Sequence, residues 1–115
     1  MNLDPIALRA NLKDSLGINE DDPSFDSELN TLILGALGTL KQVGAVRIDE
    51  TNQVWVTDFT ELGFSIVEQY LFTYTRIRFD PPAPSTLAIL KEHESELIWR
   101  IELEHEGIPT PEGDS

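Results

Sequence analysis

The stretch Arg76-Ile77-Arg78-Phe79-Asp80-Pro81-Pro82-Ala83-Pro84-Ser85 constrains this chain more than any other. Its prolines at 81, 82 and 84 remove backbone donors and fix φ. Pro81 also drives Asp80 out of the α region, so no helix can run through. The stretch therefore predicts a helix ending near Arg78 and another beginning at Ser85. Between them Asp80, Pro81, Pro82, Pro84 and Ser85 form the stiff hinge of a helical hairpin. Arg76 and Arg78 suit the negative end of the first helix, and Ser85 is expected to cap the free N–H groups of the second.

Earlier residues give two more helices. Asp4-Pro5 is a start signal and Gly17 a stop, with Leu8, Leu12 and Leu16 as the apolar stripe and Arg9 and Lys13 expected on the solvent side. After the acidic turn Asn19–Pro23, residues Phe25, Leu29, Leu32, Ile33, Ala36, Leu40 and Val43 recur at helical spacing until Gly44. Gly35 and Gly38 lower the propensity of that helix, which marks them as places where another helix comes close. From Ala45 to Thr57 the period shortens to two around a polar turn, the pattern of a small hairpin that must lean on the helices or on a neighbouring subunit. Asp58 or Thr60 can cap the third helix.

The expected architecture is mainly α. It is a four-helix bundle with a long C-terminal helical hairpin and a small β-hairpin or extended arm between helices 2 and 3. Residues 1–106 form a single domain, and 107–115 an extended C-terminal tail. The third and fourth helices are apolar on more than one side. Ile66, Val67, Tyr70, Tyr74 and Ile77 make one stripe of helix three, yet Phe64 and Phe72 lie elsewhere. On helix four, Ile89, Trp99 and Leu103 lie off the Leu87, Leu90, Leu97, Ile98 and Ile101 face. Such helices need more than one partner. Trp55, between Val54 and Val56, is either a lid on the core edge or a contact anchor. Trp55, Phe64, Phe72, Ile89, Trp99 and Leu103 are thus the candidate oligomer or partner interface.

Composition removes several functional classes. The 115 residues contain no cysteine, so thiolate metal sites, cysteine nucleophiles and disulfides are excluded. Eight Lys and Arg against 21 Asp and Glu give a formal charge of −13, which repels nucleic-acid phosphate. With 40% hydrophobic residues the chain is nonetheless no disordered acidic tail. The N-terminal residues lack the basic start and apolar run of a signal peptide, and no transmembrane run exists, so synthesis in a cytoplasm is expected.

Catalytic patterns fail one by one. His93-Glu94 begins like a zinc-protease motif, but the second histidine position is Leu97. Glu102 and His105 have a Glu-x-x-His spacing without the second pair that di-iron bundles require. No phosphate-binding Gly-Lys-Ser or Gly-Lys-Thr occurs. The expectation is a protein with no catalytic residues, no cofactor and no metal. The acids Glu92, Glu94, Glu96, Glu102, Glu104 and Glu106 give helix four a strongly negative face, either a solvated surface, a wall that DNA passes without adhering, or a rim for a basic partner. Antiparallel packing about Pro82 brings Trp99 and Arg100 back opposite Phe64 and Glu68. Arg100 is therefore expected to pair with Glu68 or Glu61, and Trp99 to pack near Phe64.

Gln69-Tyr70, the Arg76–Pro82 hinge and the closing Glu96-Leu97-Ile98-Trp99-Arg100-Ile101 together resemble the head-tail connector, or adaptor, proteins of long-tailed bacteriophages. The likeness extends to Leu16-Gly17-Ile18 with its acidic turn and to the tryptophan-containing connector before helix three. The resemblance implies a helical bundle whose copies, twelve in number, form a ring beneath the capsid portal. It also implies that this ring extends the DNA channel and carries a stopper or tail-completion protein, in the virion neck and without membrane or catalysis. The rival reading is a small acidic binding module, such as a host-enzyme inhibitor that imitates DNA charge.

Overall fold

The computed structural model describes residues 2–51, 53–59 and 61–106. Helix α1 (Pro5–Leu16) begins as its residues require. The Asp4 carboxylate accepts from the Ile6 N–H at 3.0 Å, and Pro5 occupies the first turn. It ends at Gly17, whose φ of 76° lets the Gly17 and Ile18 N–H groups return to the Asp14 and Lys13 carbonyls. A 3-10 turn (Pro23–Phe25), capped by the Asp22 carboxylate on the Ser24 N–H, leads into α2 (Asp26–Gln42). Gly44, at φ 85°, closes α2 in the same manner, with its own and the Ala45 N–H turned back to Lys41 and Leu40.

The expected hairpin is β2 (Arg47–Asp49) with β3 (Val54–Val56), Ile48 opposite Trp55. A third strand, β1 (Asn2–Leu3), adds to the other side of β3, giving the order β1-β3-β2, all antiparallel. A two-stranded ribbon is marginal alone. Here it is supported by the residues before α1 and by Thr57, whose hydroxyl donates to the Ala45 carbonyl at 2.7 Å and accepts from the Phe59 N–H. Thr60, one expected cap of the third helix, lies outside the described residues.

Helix α3 (Glu61–Phe79) packs on α2 and α1 on one side and on α4 (Pro84–Glu106) on the other. The core is Leu8 and Leu12 from α1, Ile33, Ala36, Leu37 and Leu40 from α2, Val67, Tyr70 and Leu71 from α3, and Leu97 and Ile101 from α4, closed at the sheet end by Leu3, Val46 and Phe59. The architecture is mainly α, as the periodicity implies. The tail at 107–115 lies outside the described residues.

Two local expectations are corrected. Ser85 does not cap α4: the Ala83 carbonyl accepts the first helical bond from Leu87 at 2.8 Å, Pro84 is the first helical residue, and Ser85 lies one place inside. Proline at the first position, needing no N–H partner and already at helical φ, starts the helix one residue early. Lys13 is not on the solvent side either. It is buried at 3% exposure, its ammonium 2.5 Å from the Asp26 carboxylate and within 3.2 Å and 2.8 Å of the Glu20 and Asp22 carbonyls. Arg9 lies alongside, bonded to Asn30 at 3.0 Å and 3.8 Å from Asp26.

Candidate interaction surfaces and the hinge

The hinge is held by side chains as well as by proline. Arg76 donates to the Asp80 carbonyl and lies 3.7 Å from its carboxylate, while Arg78 donates to the Tyr74 carbonyl at 3.0 Å. Both arginines therefore satisfy carbonyls at the negative end of α3, the role their positions suggest. Arg78 also reaches across the hairpin to Glu94 at 2.8 Å and stacks over the Tyr74 ring at 3.7 Å. Partial burial alone would lower the Arg78 pKa. The Glu94 hydrogen bond and charge, with Tyr74 and Tyr70 beside it, hold the guanidinium above its usual value. Phe79 closes the turn edge-on against Phe25, ring centres 5.2 Å apart.

Of the six candidate interface residues, three turn inward. Trp55, Phe64 and Phe72 are half-buried and pack on the core, so much of the burial expected from neighbours is supplied within the chain. Trp55 is half-buried against the core, flanked in register by Leu3 and Ile48. The other three stay outside. Ile89, Trp99 and Leu103 are 66%, 60% and 47% exposed. With Glu92 and Glu96 between them they follow three-and-four spacing down the outer side of α4, opposite buried Leu97 and Ile101.

Of the two expected partners of Arg100, the Glu61 side chain lies outside the described residues and Glu68 is not the partner seen. The Arg100 ion pair among the described residues is with Glu96, 4.0 Å away and one turn earlier on α4. Glu68 instead lines an open groove of about 650 Å³ between α1, α3 and α4, together with Phe72, Asp14 and His93. Among the described residues, Arg78–Glu94 is the ion pair that joins α3 to α4, at the hinge end. Trp99, expected near Phe64, is 60% exposed, whereas Phe64 packs against the core.

His105 closes the opposite end of the hairpin. A methyl group at Gly44 would lie 2.6 to 2.8 Å from the His105 ring, so α4 rests on the α2–β2 junction. The two glycines within α2 behave differently. Gly35 is the close approach its position implies, with the Tyr74 hydroxyl 2.6 Å from where a Cβ would stand, whereas Gly38 faces open space. Among the described residues no three His, Asp or Glu side chains converge as metal ligands, and no helix is long and apolar enough to cross a membrane.

Sequence reasoning missed the Lys13 cage and the exposure of Ile6 and Leu34. The acidic run at 20–22 and Asp26 were the available signal for Lys13, because a lysine so placed needs anionic and carbonyl partners once its stem is covered. Comparison with curated proteins and with solved structures finds no match. The sequence model of a family described as Phage connector protein matches residues 10–107, a span that takes in the Lys13 cage, the sheet hairpin, the proline hinge and the outer stripe of α4. The chain therefore belongs to the phage connector protein family.

Proposed function

We propose that the protein is the subunit of an adaptor ring in the phage neck, twelve copies beneath the portal that extend the DNA channel and carry a stopper or tail-completion protein. Family membership supports the coarser statement, a structural protein of the phage neck. The observation that carries the ring is the outer stripe of α4, where Ile89, Trp99 and Leu103 stay exposed while Trp55, Phe64 and Phe72 pack against the core. Exposed apolar side chains aligned on one helix call for a partner surface. A chain carrying −13 favours a wall that phosphate passes without adhering. The function asks for interfaces and a stable shape, and assigns no catalytic residue.

The test is assembly with purified portal protein, followed by electron microscopy and sedimentation. Rings of twelve on the portal, and the protein in purified virions, are expected. A chain that stays monomeric with portal and is absent from virions would sink the reading and leave the acidic binding module in its place.

A further inference from the structure

The fold leaves a second apolar patch, on a different face from the α4 stripe. Arg9 bonds Asn30 and Lys13 pairs with Asp26, so α1 and α2 run antiparallel in fixed register. One turn further along that ladder, Ile6 comes level with Leu34. Both are exposed, at 66% and 52%. Beyond Leu34 the same side of α2 continues through Gly38, which has nothing within 4 Å of a Cβ, to Lys41. The α3 layer separates this patch from the outer side of α4.

Charge distinguishes the two patches. In a chain of −13, the Ile6–Leu34 patch presents Arg9 and the exposed Lys41 beside Asp4 and Asp26, while Lys13 is spent in its buried pair with Asp26. Lys41 is exposed and makes no ion pair among the described residues. The α4 stripe carries Glu92, Glu96 and Glu102 against Arg100 alone. Two α4 stripes facing each other would oppose carboxylates, and like charges across an interface are costly. An α4 stripe laid on the α1–α2 patch instead opposes carboxylates to lysine and arginine, with apolar side chains on both sides.

We propose that the outer stripe of α4 in one copy docks on the Ile6–Leu34 face of the next, with Trp99 over the open side of Gly38 and Lys41 facing Glu92. Such a contact joins two different surfaces. It is heterologous and propagates in one direction, closing into a ring when the rotation allows. This inference rests on the ring reading and specifies which surfaces build it.

Because the chain has no cysteine, single thiols can be placed without background. Full-length Leu34→Cys and Trp99→Cys chains are assembled on portal separately and mixed, then treated with a bis-maleimide cross-linker. Covalent dimers are expected only in the mixture, and a chain carrying both substitutions is expected to yield a ladder of multimers. Rings that form by microscopy but link Trp99→Cys to itself, or give no mixed product, would overturn the docking while leaving the ring intact. Failure of every chain to assemble, the unsubstituted one included, would remove the ring reading itself and the docking with it. Lys41→Glu should weaken self-association roughly tenfold, and adding Glu92→Lys should restore it. Association unchanged by Lys41→Glu would also count against the arrangement.

Discussion

Replacing Lys13 by methionine keeps the apolar stem and removes the ammonium. The Asp26 carboxylate then loses its 2.5 Å partner, and the Glu20 and Asp22 carbonyls lose a charged donor. Breaking a buried ion pair on one side costs about 3–5 kcal/mol. The Asp26 side chain is 29% exposed, and Arg9 remains near it, so water and a second cation offset part of that. A loss of about 2–3 kcal/mol follows. For a domain of this size that lowers the melting temperature by roughly 10 °C. Urea unfolding followed by circular dichroism should show the midpoint falling with the slope unchanged. Asp26→Leu alone should also destabilise, since it strands the buried ammonium. The double variant Lys13→Met with Asp26→Leu should recover part of the loss, giving a coupling energy above about 1 kcal/mol. A Lys13→Met protein within about 0.5 kcal/mol of the parent would refute the cage as a stabilising element.

Gly44→Ala should cost more than about 1 kcal/mol, because φ there is 85° and the new methyl would meet His105. Adding His105→Ala should relieve the steric part only, and thermal melts of the two variants separate the contributions. Burial, reinforced by the Glu94 charge, holds the Tyr70 phenol above its ordinary pKa. The folded state therefore keeps a proton that the unfolded chain releases near pH 10. Tyr70 adds stability that is complete below that pH and lost as pH rises through the folded value, so Tyr70→Phe should soften the alkaline decline in urea midpoint. Replacing Pro81 and Pro82 with alanine should loosen the hairpin and reduce ring yield on portal before it lowers the melting temperature appreciably. Normal rings would make the turn a connector only.

The local signals in the sequence were those with one physical meaning. Asp4-Pro5, Gly17, Gly44 and the 81–84 prolines each prescribe a backbone event, and each event occurs where the residue stands. The stripe of α2 was equally legible, since a three-and-four pattern admits one buried face. What escaped depended on partners distant in sequence. Pairing of Asn2 with Val56 cannot be read from two residues at the N-terminus. Phe64 and Phe72 looked surplus because the number of neighbours around α3 was unknown; with α1, α2 and α4 all against it, those rings are accommodated inside. Lys13 was placed on the surface by residue type, although the acidic turn folds back over it. Arg100 found a carboxylate one turn away, a local choice that the antiparallel argument, looking across to Glu68, did not weigh.

The α3–α4 hairpin is tied at its closed end by Arg78 bridging Tyr74 and Glu94 beside the prolines. At its open end α4 lies against α3, where a methyl group on Gly63 would stand 3.3 Å from the Glu104 carboxylate, and against the α2–β2 junction through His105 on Gly44. A pair of rods joined at one end opens like scissors under a transverse force. Joined at both ends, it acts as a beam and passes the force to whatever it touches. Strain on an assembly of such subunits would then be taken up between copies, where contacts can slip and re-form, while each subunit keeps its shape.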